Sequence, residues 1–276
     1  MQKFSFHTHT NFSDGSDSIE DMLQQAVNLG WDEIGISDHM IVHENLQNSV
    51  SWNKWKQEEH MFWDNFDDAF DYFARNCDYI RKTAENYPIK VRIGAEVDFF
   101  AYPGWQEKFE KMIEKLNLDY CISGNHFLFN DDCGSDIFDI DLIHTFEEEA
   151  QNKIIKRHLK TLCVAAESGF FDFMAHIDYM RKMDIFAKDI FAEDKANMLK
   201  FFADNNITVE VSTKGLRKGG YFYPCADMLK NLVENNVKMV ISDDAHSVDQ
   251  LGYRFDYAEE VLKELNCKNR WSFVEK

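Results

Sequence analysis

The feature that most constrains the fold is the alternation of short apolar runs with longer amphipathic runs, repeated about seven times along the chain. The short runs are typical of buried strands, and the amphipathic runs have the period of surface helices. This alternation predicts parallel strands covered by helices, formed by residues 1–276 as a single domain. A closed or nearly closed βα barrel fits best, with an open doubly wound sheet as the alternative. Since no glycine-rich phosphate-binding motif follows a strand, a nucleotide cofactor is disfavoured.

The predicted strands are short and each precedes a polar residue; they cover 4–6, 33–37, 89–95, 120–123, 172–175, 207–212 and 237–242. The predicted helices cover 19–27, 58–86, 104–116, 141–168, 194–205, a segment opened by Pro224, and 255–266. Between these lie irregular residues at 40–57, a polar loop at 130–136 and a glycine-rich loop after 212. Trp52 and Trp55 either line a pocket mouth or pack against the body.

Charge and cysteine usage limit the partners. The chain has 49 acidic and 30 basic residues, a formal net charge of −19, which disfavours binding to nucleic acid or an anionic membrane. Its six cysteines form no CxxC pair, so reduced thiols in the cytoplasm are expected. No secretion signal or apolar run long enough to span a membrane is expected. The composition does not indicate an oligomeric state.

Metal-binding side chains follow the strands. His7 and His9 lie two residues apart in an extended segment, so both imidazoles can face one point. Further His, Asp and Glu side chains stand just beyond the ends of the later strands, and parallel barrels carry their active sites at this face. The candidates are His7, His9, Asp14, His39, Glu96, His126, His176, Asp244 and His246.

The number of these ligands suggests three ions. Six histidines and three carboxylates exceed what one or two ions can use while keeping a position open for water or substrate. Three ions can use all nine if Glu96 bridges two of them. Three divalent cations and three carboxylates leave about three positive charges, which suits a phosphate dianion and a hydroxide. Zinc, manganese and iron all accept mixed imidazole and carboxylate ligation.

The motifs resemble those of the polymerase-and-histidinol-phosphatase (PHP) superfamily: HTHTNFSDG at 7–15, SDH at 37–39, GAE at 94–96, GNHF at 124–127, AHID at 175–178 and DAH at 244–246. The resemblance covers nearly the whole chain in order, and it implies a distorted (βα)7 barrel with a trinuclear centre. It assigns one ion to His7, His9, Glu96 and Asp244. It assigns a second to Glu96, His126 and His176, and a third to Asp14, His39 and His246.

A finer resemblance concerns phosphate binding. The segment EVSTKGLRK at 210–218, followed by Tyr223 and Pro224, is similar to the segment that marks histidinol-phosphate phosphatases within the superfamily. Its Arg217 and Lys218 are candidate phosphate ligands because a guanidinium can bind phosphate through two hydrogen bonds. A solvated basic loop is the alternative. Arg181 and Lys182, just past His176, are weaker candidates.

The chain departs from the family pattern at three positions. Asn125 stands where the family has a small or aliphatic residue, Asp243 where serine is usual, and Lys214 where a small residue is usual. None of these departures removes a metal ligand. Lys214 and Asn125 lie where they can change the shape of the pocket.

The expected reaction is hydrolysis of L-histidinol phosphate to L-histidinol and phosphate, with a metal-bound hydroxide attacking phosphorus in line. Glu96 and Asp244 are expected to be catalytic through the metals, and Asp243 or a metal-bound water is expected to protonate the leaving group. One alternative is a PHP phosphoesterase for another small phosphate ester. A non-catalytic metal-binding partner domain and an exonuclease are less favoured.

Overall fold

The computed structural model describes residues 2–48, 61–129 and 137–273. Trp52, Trp55 and the predicted loop at 130–136 lie outside this range. The helices are α1 (Ile19–Asn28), α2 (Phe66–Ala84), α3 (Pro103–Leu116), α4 (Glu148–Glu167), α5 (Ala192–Asp204), α6 (Lys214–Lys218), α7 (Ala226–Glu234) and α8 (Phe255–Glu264). The strands are β1 (Glu33–Ile36), β2 (His39–Val42), β3 (Phe62–Trp63), β4 (Lys90–Val97), β5 (Tyr120–Ser123), β6 (Phe127–Phe129), β7 (Ile137–Asp139), β8 (Phe173–Met174), β9 (Thr208–Ser212) and β10 (Lys238–Ser242).

Parallel strands form the main sheet, in the order β10, β9, β8, β5, β4, β2, β3. β1 and β2 share one side of the long strand β4: Glu33 pairs with Lys90, and His39 pairs with Glu96. β6 and β7 form a separate antiparallel hairpin. Helices connect the parallel strands, as such strands require.

The N-terminal segment closes this sheet into a ring. On one side, the Gly35 amide donates to the Ser5 carbonyl over 2.8 Å. On the other side, Thr8 forms a parallel bridge with Ala245, and the His9 amide donates to the Ala245 carbonyl over 2.8 Å. The ring therefore has seven positions: this segment, β1 with β2, β4, β5, β8, β9 and β10. The prediction of a distorted (βα)7 barrel is confirmed.

Two helix predictions were wrong at their amino ends. The phenylalanine spacing predicted a helix over 58–86, but α2 begins at Phe66, where the Asn65 side chain caps the Asp68 amide at 2.7 Å. Phe62 instead lies in β3. The predicted helix 141–168 is divided into a 3₁₀ turn at Ile140–Thr145 and α4. The predicted glycine-rich loop after 212 contains the short helix α6.

Apolar side chains fill the amino-terminal part of the ring. Phe6 is fully buried against Tyr120 and Trp271, with edge-on ring contacts at 5.4 and 5.3 Å. A Cβ at Gly35 or Gly94 would overlap the Tyr120 ring, so glycine is needed where the ring lies against these strands. This packing leaves the opposite, carboxyl end of the strands for polar side chains. Among the described residues, no helix is long and apolar enough to cross a bilayer.

Candidate metal centre

All nine predicted metal ligands converge at the carboxyl end of the ring. Each belongs to at least one of four groups whose donor atoms lie within 4.8 Å of one another. The groups are His9, Asp14, His39 and His246; His7, Glu96 and His176; His7, His9 and Asp244; and His39, Glu96 and His126. Ligands from six of the seven ring positions thus meet at one point, while β9 carries none of them.

Glu96 lies at the middle of this cluster, and its two oxygens face different histidines. Oε1 lies 2.8 Å from His176 Nε2 and 3.7 Å from His126 Nε2. Oε2 lies 3.1 Å from both His7 Nε2 and His39 Nδ1, and 3.3 Å from His9 Nε2. A carboxylate that bridges two ions needs this division, so the geometry fits the bridging position expected from the sequence.

Asp14 and Asp244 face the remaining imidazoles. Asp14 Oδ1 lies 3.6 Å from His39 Nε2, and Oδ2 lies 3.1 Å from His246 Nε2. Asp244 Oδ1 lies 3.4 Å from His9 Nε2. His9 also approaches Asp14, with 3.8 Å from Nδ1 to Oδ1, and therefore lies between two ligand groups.

The buried polar atoms of the cluster fit metal binding. Six of these atoms are buried without a hydrogen-bond partner among the described residues: His7 Nε2, both ring nitrogens of His9, His39 Nδ1, Glu96 Oε2 and Asp244 Oδ1. Buried polar atoms of this kind normally carry a large free-energy cost. A coordinated cation would satisfy both the imidazole nitrogens and the carboxylate oxygens. The donor set therefore fits divalent metal ions.

The electrostatics agree with this assignment. Burial raises the pKa of Glu96, but His7 and His39 outweigh it and hold the pKa well below its usual range, so the carboxylate is ionised. Burial lowers the pKa of His9, but Asp244 and Glu96 outweigh it and raise the pKa to about 9. The cluster thus favours positive charge at its centre. Burial lowers the pKa of His39 to about 3, which keeps this imidazole neutral and able to bind metal.

Local backbone geometry places two of the ligands. His176 and Asp244 have φ angles of 25° and 49°, in the left-handed region that residues with a Cβ rarely adopt. Each stands two residues past the end of a strand, β8 or β10, and hydrogen bonds hold it there. The His176 amide donates to Glu210 Oε2 over 2.8 Å, and the Asp244 carbonyl accepts from Arg217. Gly124 keeps space for the cluster, since a Cβ there would lie 2.6 Å from Glu96 Oε1.

Sequence reasoning missed the carboxylates that orient the ligands. Glu210 Oε1 lies 2.6 Å from His7 Nδ1. Asp98 Oδ2 lies 3.1 Å from His126 Nδ1, and its Oδ1 accepts from the Phe127 amide over 2.6 Å. A metal-binding histidine commonly donates its other ring N–H to such a carboxylate, which fixes its orientation. A charged residue inside the apolar strand β9 was the available signal for Glu210.

A cavity of about 430 Å³ opens beside the cluster. Four of the ligands line it: Asp14, His39, His126 and His246. An apolar wall is formed by Ile41, Met61, Phe62 and Phe127, and the basic helix α6 contributes Lys214, Arg217 and Lys218. A polar wall is formed by Asp139, Asp141 and Tyr179, and Gln250 completes the lining. A small polar molecule can therefore reach the metal ligands from this side.

The sequence profile of the PHP domain matches residues 5–214, which is more than half of the chain. The chain belongs to the PHP domain family. This match begins just before the His7 and His9 pair and ends at Lys214, so it includes seven of the nine ligands.

Curated proteins and solved structures are similar to this PHP protein over much of the chain. Proteins named "Probable histidinol-phosphatase" are 27% identical over 64% of the chain in Deinococcus radiodurans and 24% identical over 99% in Clostridium acetobutylicum. The first alignment covers 65% of the Deinococcus protein and the second covers 97% of the Clostridium protein. A solved structure from Listeria monocytogenes has a TM-score of 0.72 at 21% identity, covering 92% of this chain and 99% of its own.

Another solved structure is similar over nearly the whole chain. The histidinol phosphate phosphatase of Lactococcus lactis, complexed with zinc, L-histidinol and phosphate, has a TM-score of 0.69 at 16% identity. The similarity covers 99% of this chain and 97% of that one. At this identity the likeness concerns the fold, and it supports the barrel architecture.

The structure places the predicted phosphate ligands of this PHP protein in two different locations. Arg217 and Lys218 line the cavity. The Arg217 guanidinium also donates to the carbonyls of Asp243 and Asp244 over 2.9 and 3.0 Å, so it supports the strand end that carries a ligand. Arg181 instead lies over the ring of Tyr221, 4.6 Å from its centre. The structure therefore does not bring Arg181 to the cavity with the other two.

In the structure, the Asp243 carboxylate forms its hydrogen bonds away from the metal ligands. One carboxylate oxygen accepts from Ser5 Oγ over 2.8 Å, and the other accepts from the Gly252 amide over 2.6 Å. Burial raises the pKa of this carboxyl to about 6. With both oxygens held by these neighbours, Asp243 ties the N-terminal segment to the turn at Gly252. This arrangement argues against the expected role of Asp243 as proton donor.

Proposed function

We propose that the chain hydrolyses a phosphomonoester with the aid of three divalent metal ions, and that its substrate is L-histidinol phosphate. The product would be L-histidinol, as in histidine biosynthesis. We further propose that residues 1–276 form one catalytic domain. Zinc is the first candidate metal, with manganese and iron as the others.

The division of Glu96 between two sets of histidines, two at Oε1 and three at Oε2, is the observation that carries the proposal. This division would suit two adjoining metal positions, and the group around Asp14, His39 and His246 would suit a third. Ions held there would lower the pKa of a bound water and withdraw charge from phosphoryl oxygens. Adjoining divalent sites are typical of enzymes that displace a group from phosphorus.

The protein side chains hold and orient the phosphate. Arg217 and Lys218 lie on the short helix α6 beside the metal ligands, and both line the cavity. Because the net charge of the chain is strongly negative, this local basic helix is a specific attraction for an anion. Glu210 and Asp98 keep the ring nitrogens of His7 and His126 aimed at the metals.

The opposite wall suits the organic part of L-histidinol phosphate. Asp141 holds the ammonium group of Lys182, which also lies 3.7 Å from the centre of the Tyr179 ring. The Tyr179 ring lies 4.8 Å from the His126 ring, so this ammonium-binding wall adjoins the metal centre. Histidinol phosphate carries its own ammonium two carbons from the ester oxygen. The names of the Deinococcus and Clostridium relatives support the same substrate.

The deciding experiment measures phosphate release from L-histidinol phosphate by protein loaded with zinc, manganese or iron, with the metal content determined. We expect turnover by the loaded protein. Glu96→Gln and His126→Ala should lower kcat/KM by more than the roughly 10–100-fold that loss of an outer-shell partner costs.

Glu234→Gln is a matched control, because Glu234 is exposed on α7 and pairs only loosely with Lys230 at 3.8 Å. It should keep full activity. If folded Glu96→Gln protein were as active as the wild type, the metal-centre assignment would be wrong. If loaded wild-type protein hydrolysed other phosphate esters and not histidinol phosphate, the substrate assignment would be wrong.

A further inference from the structure

Lys214 lies at the junction between the metal ligands and the cavity. It is the first residue of α6, directly after the end of β9, and it lines the cavity. Its Nζ lies 2.8 Å from Asp244 Oδ2. The side chain is four-fifths buried, so this ammonium group belongs to the interior of the site.

The two carboxylate oxygens of Asp244 face different neighbours, the metal-binding histidines and Lys214. Its Oδ1 faces His7 and His9, at 3.6 and 3.4 Å from their Nε2 atoms, while Oδ2 faces Lys214. The contact therefore leaves Oδ1 for metal binding. An ammonium group has three N–H donors, and the contact with Asp244 uses one of them.

Lys214 shares the cavity with the other bases of α6. Arg217 and Lys218 follow on the same short helix and line the same cavity. Arg217 contacts the main-chain carbonyl of Asp244, whereas Lys214 contacts the carboxylate that faces the metal-binding histidines.

We propose that Lys214 binds the substrate phosphate directly, donating one N–H to Asp244 and another to a phosphoryl oxygen. This inference rests on the proposed phosphatase function. It adds a phosphate ligand at one of the three positions where the chain departs from the motif pattern that it resembles. The bound anion would then lie between the metal ligands on one side and the bases of α6 on the other.

The test measures binding of inorganic phosphate, the reaction product, to metal-loaded protein by calorimetry. Lys214→Met should raise the Kd for phosphate about tenfold or more, as loss of a hydrogen bond to a charged group predicts. Lys214→Arg keeps the charge and should recover part of that loss. The metal content of both variants, measured by mass spectrometry, should equal that of the wild type.

Lys230→Met is the matched control, since Lys230 lies on the exposed face of α7 near Glu234. It should leave the Kd for phosphate unchanged. A Kd within twofold of the wild type in Lys214→Met would overturn the proposal. So would loss of metal together with loss of phosphate binding, because Lys214 would then act by positioning Asp244.

The phosphate titration separates this proposal from the substrate assignment. If the loaded wild type fails to hydrolyse histidinol phosphate but binds phosphate through Lys214, the substrate is wrong and the proposal stands. If the wild type hydrolyses histidinol phosphate and Lys214→Met binds phosphate normally, the substrate stands and the proposal is wrong.

Discussion

His158 is a buried histidine outside the metal centre that contributes a specific sensitivity to acid. It lies in α4 with 1% of its surface exposed, on the buried face that also carries Ile155, Leu159 and Leu162. Neither ring nitrogen has a hydrogen-bond partner among the residues that the structure describes. Burial lowers its pKa from an ordinary value of 6.5 to about 3, and His176 and His126 act in the same direction. The folded protein therefore keeps this imidazole neutral.

The sign of the pH effect follows from that shift. Below pH 6.5 the unfolded chain binds a proton at His158 and the folded chain does not, so the free energy of unfolding falls as the pH falls to about 3. His158→Leu should remove the contribution of His158 to this dependence, so the stability of the variant relative to the wild type should rise progressively as the pH falls from 6.5 to 4. Denaturant unfolding at several pH values measures the difference.

His144→Leu is the matched control, because His144 is exposed in the 3₁₀ turn before α4. Its stability difference from the wild type should not grow as the pH falls. A pH-independent difference between the wild type and His158→Leu would contradict the assigned state of the imidazole.

At the residue scale, the sequence predicted the metal ligands better than the carboxylates that orient them. His39, Glu96 and His176 could be found because each stands just beyond the end of a predicted strand, and parallel strands bring such ends together. Glu210 and Asp98 could not be assigned in the same way, because their partners, His7 and His126, are distant in sequence. Only the folded ring shows which carboxylate lies behind which imidazole.

At the scale of elements, the 3₁₀ turn Ile140–Thr145 and its neighbour at Tyr179–Lys182 form the polar wall of the cavity. Asp141 lies on the first turn and pairs with Lys182 on the second. The Tyr179 hydroxyl lies 3.5 Å from the other oxygen of Asp141. Asp139 also lines this wall, and the Asp141 carboxylate could hold an ammonium group of a ligand as it holds that of Lys182.

Asp141→Asn tests whether this wall recognises the substrate ammonium. It should raise the KM for L-histidinol phosphate about tenfold, since a charge-assisted hydrogen bond is lost. The analogue without the amino group, 3-(imidazol-4-yl)propyl phosphate, should be affected less than twofold, on the order of a neutral change. Steady-state kinetics with both esters provides the comparison.

Asp78→Asn is the control for loss of one negative charge, because Asp78 is exposed on α2 beside Arg81. It should change neither KM. An equal loss with both esters in Asp141→Asn would mean that Asp141 supports the turn and does not bind the amine.

The geometry of a 3₁₀ turn explains why Arg181 and Lys182, two adjacent bases near His176, have different partners. Arg181 and Lys182 are adjacent in a 3₁₀ turn, where successive side chains point about 120° apart. Lys182 therefore joins Asp141, while Arg181 lies over Tyr221. The start of α2 was predictable, however, since Asn65 followed by Asp68 is a typical capping pattern that the phenylalanine spacing obscured.

At the scale of the whole molecule, the metal centre and the closure of the ring depend on the same segment. Residues 7–14 supply three ligands, and hydrogen bonds from this segment join β1 to the chain after β10. His9 belongs to two ligand groups, whereas His126 belongs to one. Ions bound here would link side chains from both sides of the closure, so metal binding and folding should be coupled.

Chelation should therefore lower the Tm of the whole protein. An ion present at 1,000 times its Kd stabilises the folded state by about 4 kcal/mol, and about 2–4 °C of Tm corresponds to each kcal/mol in a chain of this size. We expect removal of metal to lower the Tm by at least about 10 °C.

The shift should be smaller in His9→Ala than in His126→Ala, because losing His9 weakens two ligand groups. His144→Ala should keep the full shift. Calorimetric scans with and without chelator measure it, and equal Tm values in the wild type would show that the ligand cluster does not hold the ring together through metal.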